Sequence, residues 1–206
     1  THAMTELFKL KKIPIKRGLI TDPKKLAALK SADRYAFTES GVSPRWIPGS
    51  SPAVYCANSD EHEEDGTLTE DAEPVRKMAE KRMRKLESLR EVLPEPQVHG
   101  LKKGAKISFV GWGSSLNVMR DVIAESPEVN YLHFDYLYPL KTKALTQFFK
   151  DNKNVHLIEG NYQGQFGQRI EAETGLKFKG KLLKYNGRPF FVEDVMEYIT
   201  HCHSER

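Results

Sequence analysis

Two stretches of this chain leave an apolar run and enter a helical one, the setting in which backbone amides can do chemistry. Gly111-Trp112-Gly113-Ser114-Ser115 follows apolar residues 107–110 and precedes Leu116, Met119, Val122 and Ile123, which recur at helical spacing. Unpaired N–H groups at a helix start can hold an anion, making Gly111, Gly113, Ser114 and Ser115 candidate ligand residues. The turn lacks the third glycine of a dinucleotide fingerprint and the lysine of a phosphate-binding loop. A tight turn with Ser114 or Ser115 as helix cap is the simpler reading. Glu159-Gly160-Asn161-Tyr162-Gln163-Gly164-Gln165 has the same strand-to-helix placement. Only Glu159 titrates in it, so Glu159, Asn161 and Gln165 suit an interface better than acid–base catalysis.

Three further groups carry ionisable or metal-ligating side chains. Arg45 lies between Pro44 and Pro48, where a guanidinium can clamp a carboxylate or phosphate with two parallel bonds. A salt bridge to Glu61, Glu63 or Glu64 is the plainer alternative. His62 and Glu63 belong to the acidic run Asp60-Glu61-His62-Glu63-Glu64-Asp65, which reads as solvated acid raising one histidine's pKa more readily than as a metal site. His201-Cys202-His203 offers imidazole and thiol ligands at a terminus unable to preorganise them. No Gly-x-Ser-x-Gly, His-Glu-x-x-His or Cys-x-x-Cys motif occurs, and neither a catalytic residue nor a metal ligand is assigned.

The elements that must position these residues divide the chain. Thr1, His2 and Ala3 read as a cloning scar before Met4. Residues 4–66 are punctuated by Pro14, Pro23, Pro44, Pro48 and Pro52 and read as a connecting arm, with a short helix over 22–30 capped by Asp22 and a possible strand at 53–57. Its apolar residues Leu10, Ile13, Ile15, Phe37, Trp46 and Ile47 follow no period that would bury them locally. Residues 67–104 hold a long helix and linker. The helix starts between Thr69 and Pro74, is capped by Thr69 or Asp71, and ends before Pro94; Val75, Ala79, Met83, Leu86 and Leu93 form its one apolar stripe.

From 105 to 206 strand and helix patterns alternate. Strands are predicted at 107–110, 129–134, 155–158 and within 177–185, and helices from 116, over 143–150, over 165–173 ending at Gly175, and over 192–200. Such repeats build an α/β/α sandwich around a mostly parallel sheet, whose ligands and partners meet the carboxyl ends of the strands.

Composition excludes several classes. The 32 basic and 28 acidic residues leave a net charge of +4 spread as mixed-sign surface, without the basic face that nucleic acid requires. Two distant cysteines, Cys56 and Cys202, argue for a reducing compartment and supply too few thiolates for an iron–sulfur cluster. No run of about 18 apolar residues is present. A cytoplasmic protein is expected.

The chain resembles the alpha subunit of 2-oxoacid:ferredoxin oxidoreductases. The resemblance rests on Thr38-Glu39-Ser40-Gly41-Val42-Ser43-Pro44-Arg45-Trp46-Ile47-Pro48-Gly49, on 60–66, on Lys81-Arg82-Met83-Arg84-Lys85-Leu86, on Val110-Gly111-Trp112-Gly113-Ser114, on Glu159-Gly160-Asn161 with Gly164-Gln165, on Glu173-Thr174-Gly175 and on Lys184-Tyr185-Asn186-Gly187-Arg188-Pro189-Phe190, in that order. It is closest to the 2-oxoglutarate branch, with pyruvate enzymes similar. Ser40 and Trp46 depart from the usual residues, as do Glu64 and Asp65 in the acidic loop. The resemblance implies a transketolase C-terminal type of domain in an oligomeric enzyme that uses thiamine diphosphate, Mg²⁺, iron–sulfur clusters, coenzyme A and ferredoxin. It implies that the thiamine-binding domain lies upstream and that clusters and diphosphate site lie elsewhere, so this segment binds no cofactor and is inactive alone. Its expected partners are that domain and the beta subunit. A free-standing small-ligand or anion-binding module using the turn 111–115 is the rival reading.

Overall fold

The computed structural model describes residues 10–204 except 11, 29–32, 53 and 58. The scar residues and the last two positions of the predicted first helix thus lie outside the described residues. Contacts divide the chain into Lys9–Val92 and a second unit that holds Leu93–Arg206. The sequence reading placed its divisions after Gly66 and Gly104.

In the second unit, segments of four to six residues, the inner ones mostly apolar, form a five-stranded sheet. Its strands are β1 (Gln97–Gly100), β2 (Ile107–Trp112), β3 (Val129–Phe134), β4 (Val155–Glu159) and β5 (Gly180–Leu183). They lie in the order β1-β3-β2-β4-β5. The four inner and C-terminal strands are parallel, with Val110 beside both Leu132 and Leu157, while β1 pairs antiparallel with β3. Parallel neighbours need crossovers, supplied by α3 (Ser115–Glu125), α4 (Thr142–Asp151) and α5 (Gln165–Thr174); α6 (Val192–Ser204) follows β5.

Side chains alternate across each strand and define two apolar layers. Ile107, Phe109, Val129, Tyr131 and Ile158 pack with Val118, Met119 and Val122 of α3 and Val195 and Ile199 of α6. On the opposite face Val110, Leu132, Phe134 and Val155 pack with Leu145 and Phe148 of α4 and Phe166 and Ile170 of α5. The unit is therefore the expected α/β/α sandwich. Each fully buried aliphatic or aromatic side chain here contributes about 1.5–3 kcal/mol. Truncating Leu145 to alanine, which is wholly buried, should cost about 2–5 kcal/mol. Gly175 ends α5 as predicted, at φ 69° with its N–H on the Glu171 carbonyl at 2.9 Å.

The first unit contains α1 (Pro23–Ala28) and α2 (Ala72–Val92). Asp22 caps α1 through the Lys24 N–H at 2.8 Å. Residues 54–57 form no strand. Trp46, expected to find no local burial, is only 6% exposed and meets the Tyr55 ring edge-on at 5.4 Å. Leu10, Ile13 and Ile15 remain exposed. The face of α2 also differs from the predicted stripe: Met78 and Lys81 are buried, whereas Ala79 and Met83 are exposed. A lysine's methylene stem buries as readily as an aliphatic side chain, so scoring Lys81 as solvated rotated the stripe away from the true contact face. No helix among the described residues is long and apolar enough to cross a membrane.

Candidate functional site

Three strand ends meet at the carboxyl edge of the sheet. Trp112 ends β2, Gly160 follows β4 and Lys184 follows β5; with Ser114, Tyr185, Arg188 and Phe190 they line a cavity of about 470 Å³. Gly111 lets β2 lie close to β4, because a Cβ there would stand 2.7 Å from the Ile158 carbonyl oxygen and 2.8 Å from its Cγ2. Lys184 pairs with Asp194 of α6 and lies 4.7 Å from the centre of the Phe191 ring.

The serine-cap reading of the first turn is not what the chain adopts. Ser114 makes no capping bond, and the Ser115 hydroxyl donates to the Trp112 carbonyl at 2.7 Å. Its single proton being committed there, Ser115 accepts from the Tyr131 hydroxyl at 2.8 Å, and Tyr131 in turn accepts from the His133 Nδ1–H at 2.9 Å. Strand periodicity puts Tyr131, His133 and Asp135 on one side, with His133 Nε2 3.4 Å from Asp135. Burial holds the His133 and His99 rings below the usual imidazole pKa and pushes the Tyr131 phenol up.

The second turn is closed by its own side chains. Glu159 is buried and accepts the Phe166 N–H at 3.0 Å, the Gly167 N–H at 3.4 Å, the Asn161 amide at 2.6 Å and the Trp112 indole at 3.4 Å. Asn161 Oδ1 accepts the Gly164 N–H at 2.7 Å and the Gln165 N–H at 3.3 Å. The amides that open α5 are thus satisfied by an acid and an amide, the charge that a helix N-terminus favours. Both Glu159 oxygens are thus engaged by donors, while the Gln165 side chain faces solvent.

The structure brings Gly111, Gly113, Ser114, Ser115, Glu159, Asn161 and Gln165 to this one edge. Arg45, His62 and Glu63 belong to the other unit. Arg45 is exposed, its guanidinium donating to the Arg17 carbonyl and its backbone bridging to Ile20. The expected salt bridge does not form: Glu61 pairs with both Arg82 nitrogens at 2.6 and 2.7 Å, and Glu64 accepts the Phe37 N–H at 2.6 Å. His62 is not solvated either; it is 8% exposed, its ring lies tilted 3.9 Å from the centre of the Tyr35 ring and it bonds the Glu63 carbonyl at 3.0 Å. Glu63 itself is exposed. Among the described residues no cluster of three or more His, Cys, Asp or Glu side chains is arranged to hold a metal ion.

Sequence reasoning left Lys184, Tyr185 and Arg188 unassigned although they lie in a quoted motif. Their signal was the one used for the other two turns, a loop between strand and helix, blurred because β5 is only four residues long.

An open parallel sheet with a polar cavity over its strand ends belongs to the class of α/β domains that meet ligands and neighbours along that edge. No family model matches the chain. The alpha subunit of 2-oxoacid:ferredoxin oxidoreductase 1 from Sulfurisphaera tokodaii is 31% identical over 198 residues, covering 94% of this chain and 30% of its own length. The corresponding subunit from Saccharolobus solfataricus is 29% identical over 197 residues. A solved 2-oxoglutarate:ferredoxin oxidoreductase from Magnetococcus marinus, with 2-oxoglutarate, coenzyme A and succinyl-CoA bound, superposes with a TM-score of 0.74 at 28% identity, over 81% of this chain and 30% of that one. Over nearly its whole length this chain is thus similar to the alpha subunits of 2-oxoacid:ferredoxin oxidoreductases. It spans 30% of the length of the curated relatives from Sulfurisphaera and Saccharolobus.

Proposed function

We propose that this chain is the site-supporting, subunit-contacting segment of an enzyme that oxidatively decarboxylates a 2-oxoacid to its acyl-CoA and passes the electrons to ferredoxin. The observation that carries this reading is that identity to alpha subunits of that name runs through 94% of the chain. The bound 2-oxoglutarate in the Magnetococcus relative supports 2-oxoglutarate as the substrate. The enzyme is cytoplasmic and oligomeric. Thiamine diphosphate with Mg²⁺ and the iron–sulfur clusters supply carbanion stabilisation and electron transfer when bound. The donors of this chain do not fit them: Glu159 is spent on α5, and no metal-holding cluster occurs among the described residues.

The chain's own part is mechanical and electrostatic. The transketolase C-terminal type of sandwich presents Gly113, Ser114, Gln165 and Arg188 to the upstream thiamine-binding domain, and exposed Leu10, Ile13 and Ile15 cover a neighbouring subunit. The isolated 206-residue chain should show no 2-oxoacid-dependent ferredoxin reduction and no calorimetric binding of thiamine diphosphate with Mg²⁺. It should co-purify with the remaining alpha-subunit sequence and the beta subunit. Turnover or micromolar thiamine diphosphate affinity by the chain alone refutes the assignment. The rival small-ligand reading draws on one observation, that the turn 111–115 shares its cavity with Lys184 and Arg188.

A further inference from the structure

The unit Lys9–Val92 encloses a cavity of about 310 Å³ whose walls carry an excess of positive charge. Arg34 and Tyr35 contribute from the loop before residue 43, His62 from the acidic loop, and Lys81, Arg82 and Lys85 from α2. The turn at Gly41 seals one side by lying directly on the helix, where a Cβ would stand 2.5 Å from the Lys81 carbonyl oxygen and 2.5 Å from the Lys85 nitrogen.

Lys81 is the unusual member. It is 5% exposed, its ammonium donates to the Tyr35 carbonyl and approaches Met78 Sδ at 3.9 Å, and it stands 5.8 Å from the centre of the Phe37 ring. Among the described residues it forms no ion pair. Burying a charge on a carbonyl alone is costly unless an opposite charge arrives. The neighbouring charges do not provide it in full. Glu61 is occupied by Arg82, and at Lys81 the single charge of Glu64 is set against those of Lys85, Arg82 and Arg34. Counting Arg34, Lys81, Arg82 and Lys85 against Glu61 and Glu64 leaves an excess of two positive charges, the complement of one phosphate dianion.

We propose that this cavity is a binding site for a phosphate group, free or as a small phosphate monoester, with Lys81 as the buried cation and Lys85 and Arg34 as the rim. Burial and the surrounding cations hold the empty-site Lys81 ammonium down to about 8, so its proton is available for a bound dianion to retain. Arg34, Arg82 and Lys85 favour the neutral amine, and Glu64 opposes them.

The test is titration of the intact chain with inorganic phosphate, pyrophosphate and, as a carboxylate control, citrate, followed by amide chemical shifts of residues 35–43 and 78–85. Saturable shifts with phosphate at pH 7, weakening as pH rises above about 8, are expected. Lys85→Gln and Arg34→Gln, both on the rim, should each weaken binding about tenfold, the loss of one charge-assisted bond. Lys81→Met should abolish binding; the rim variants decide if it fails to fold. Absence of saturable shifts with phosphate and pyrophosphate, tighter citrate binding, or unchanged affinity in both rim variants overturns the proposal.

Discussion

Glu159→Gln isolates what the buried carboxylate does. In the parent, its two oxygens meet the Phe166 and Gly167 amides, the Asn161 amide and the Trp112 indole. A glutamine keeps one acceptor oxygen and turns an NH₂ group toward donors, leaving at least one buried N–H unsatisfied. That costs about 1–3 kcal/mol. Losing the negative charge at the start of α5 adds about 0.3–1 kcal/mol. A total near 3 kcal/mol follows, a fall in Tm on the order of 10 °C for a cooperative unit of this size. Urea unfolding gives the free energy, with an unchanged m-value indicating an unchanged folded state. Amide exchange should quicken first at Phe166 and Gly167, and Trp112 fluorescence should shift because its indole loses its acceptor. Destabilisation under about 0.5 kcal/mol, within the usual range for surface changes, would refute the reasoning.

Acid should weaken the fold in two separable windows. His133 and His99 have folded pKa values below the ordinary 6.5, so the unfolded chain binds their protons first and stability falls as pH drops below 6.5; His133→Gln should flatten that slope in urea titrations between pH 5 and 7, and an unchanged slope counts against it. The Arg82 guanidinium holds Glu61 down to about 2 from 4.5, so this pair stabilises above pH 4.5 and its contribution is lost as pH falls from there toward 2. Glu61→Gln should cost about 1–2 kcal/mol at pH 7 after discounting for the half-exposed arginine, and nothing near pH 2.

Much of the sandwich was legible because its strands are apolar runs interrupted by glycine and its helices carry regular stripes. The third strand was placed at its observed limits, and α3, α4 and α5 within a residue or two. The edge strand β1 was missed: Gln97-Val98-His99-Gly100 has one apolar side chain and forms a strand only because β3 offers a ladder beside it. Likewise the Ser115, Tyr131 and His133 chain was hidden, since nothing in sequence ties a helix's first residue to a neighbouring strand sixteen positions later. Both turns at the carboxyl edge were recognised, but not how their polar groups are spent. Ser115 turns its hydroxyl inward, and Glu159 caps a helix seven residues ahead.

That difference between the two turns gives the cavity its direction. At α5 the opening amides are already taken by Glu159 and Asn161, so this side presents satisfied backbone and offers little to an incoming group. At α3 Ser114 makes no capping bond, and Ser114 and Ser115 line the cavity with Lys184 and Arg188. Lys184 is paired with Asp194, and Arg188 is the other cation that lines the cavity. In the proposed assembly, a carboxylate of the neighbouring domain would be anchored most firmly over Ser114 and Arg188. In that proposed arrangement a carboxylate arriving over α5 would meet the exposed Gln165 amide beside the field of Glu159, a weaker anchor than an arginine.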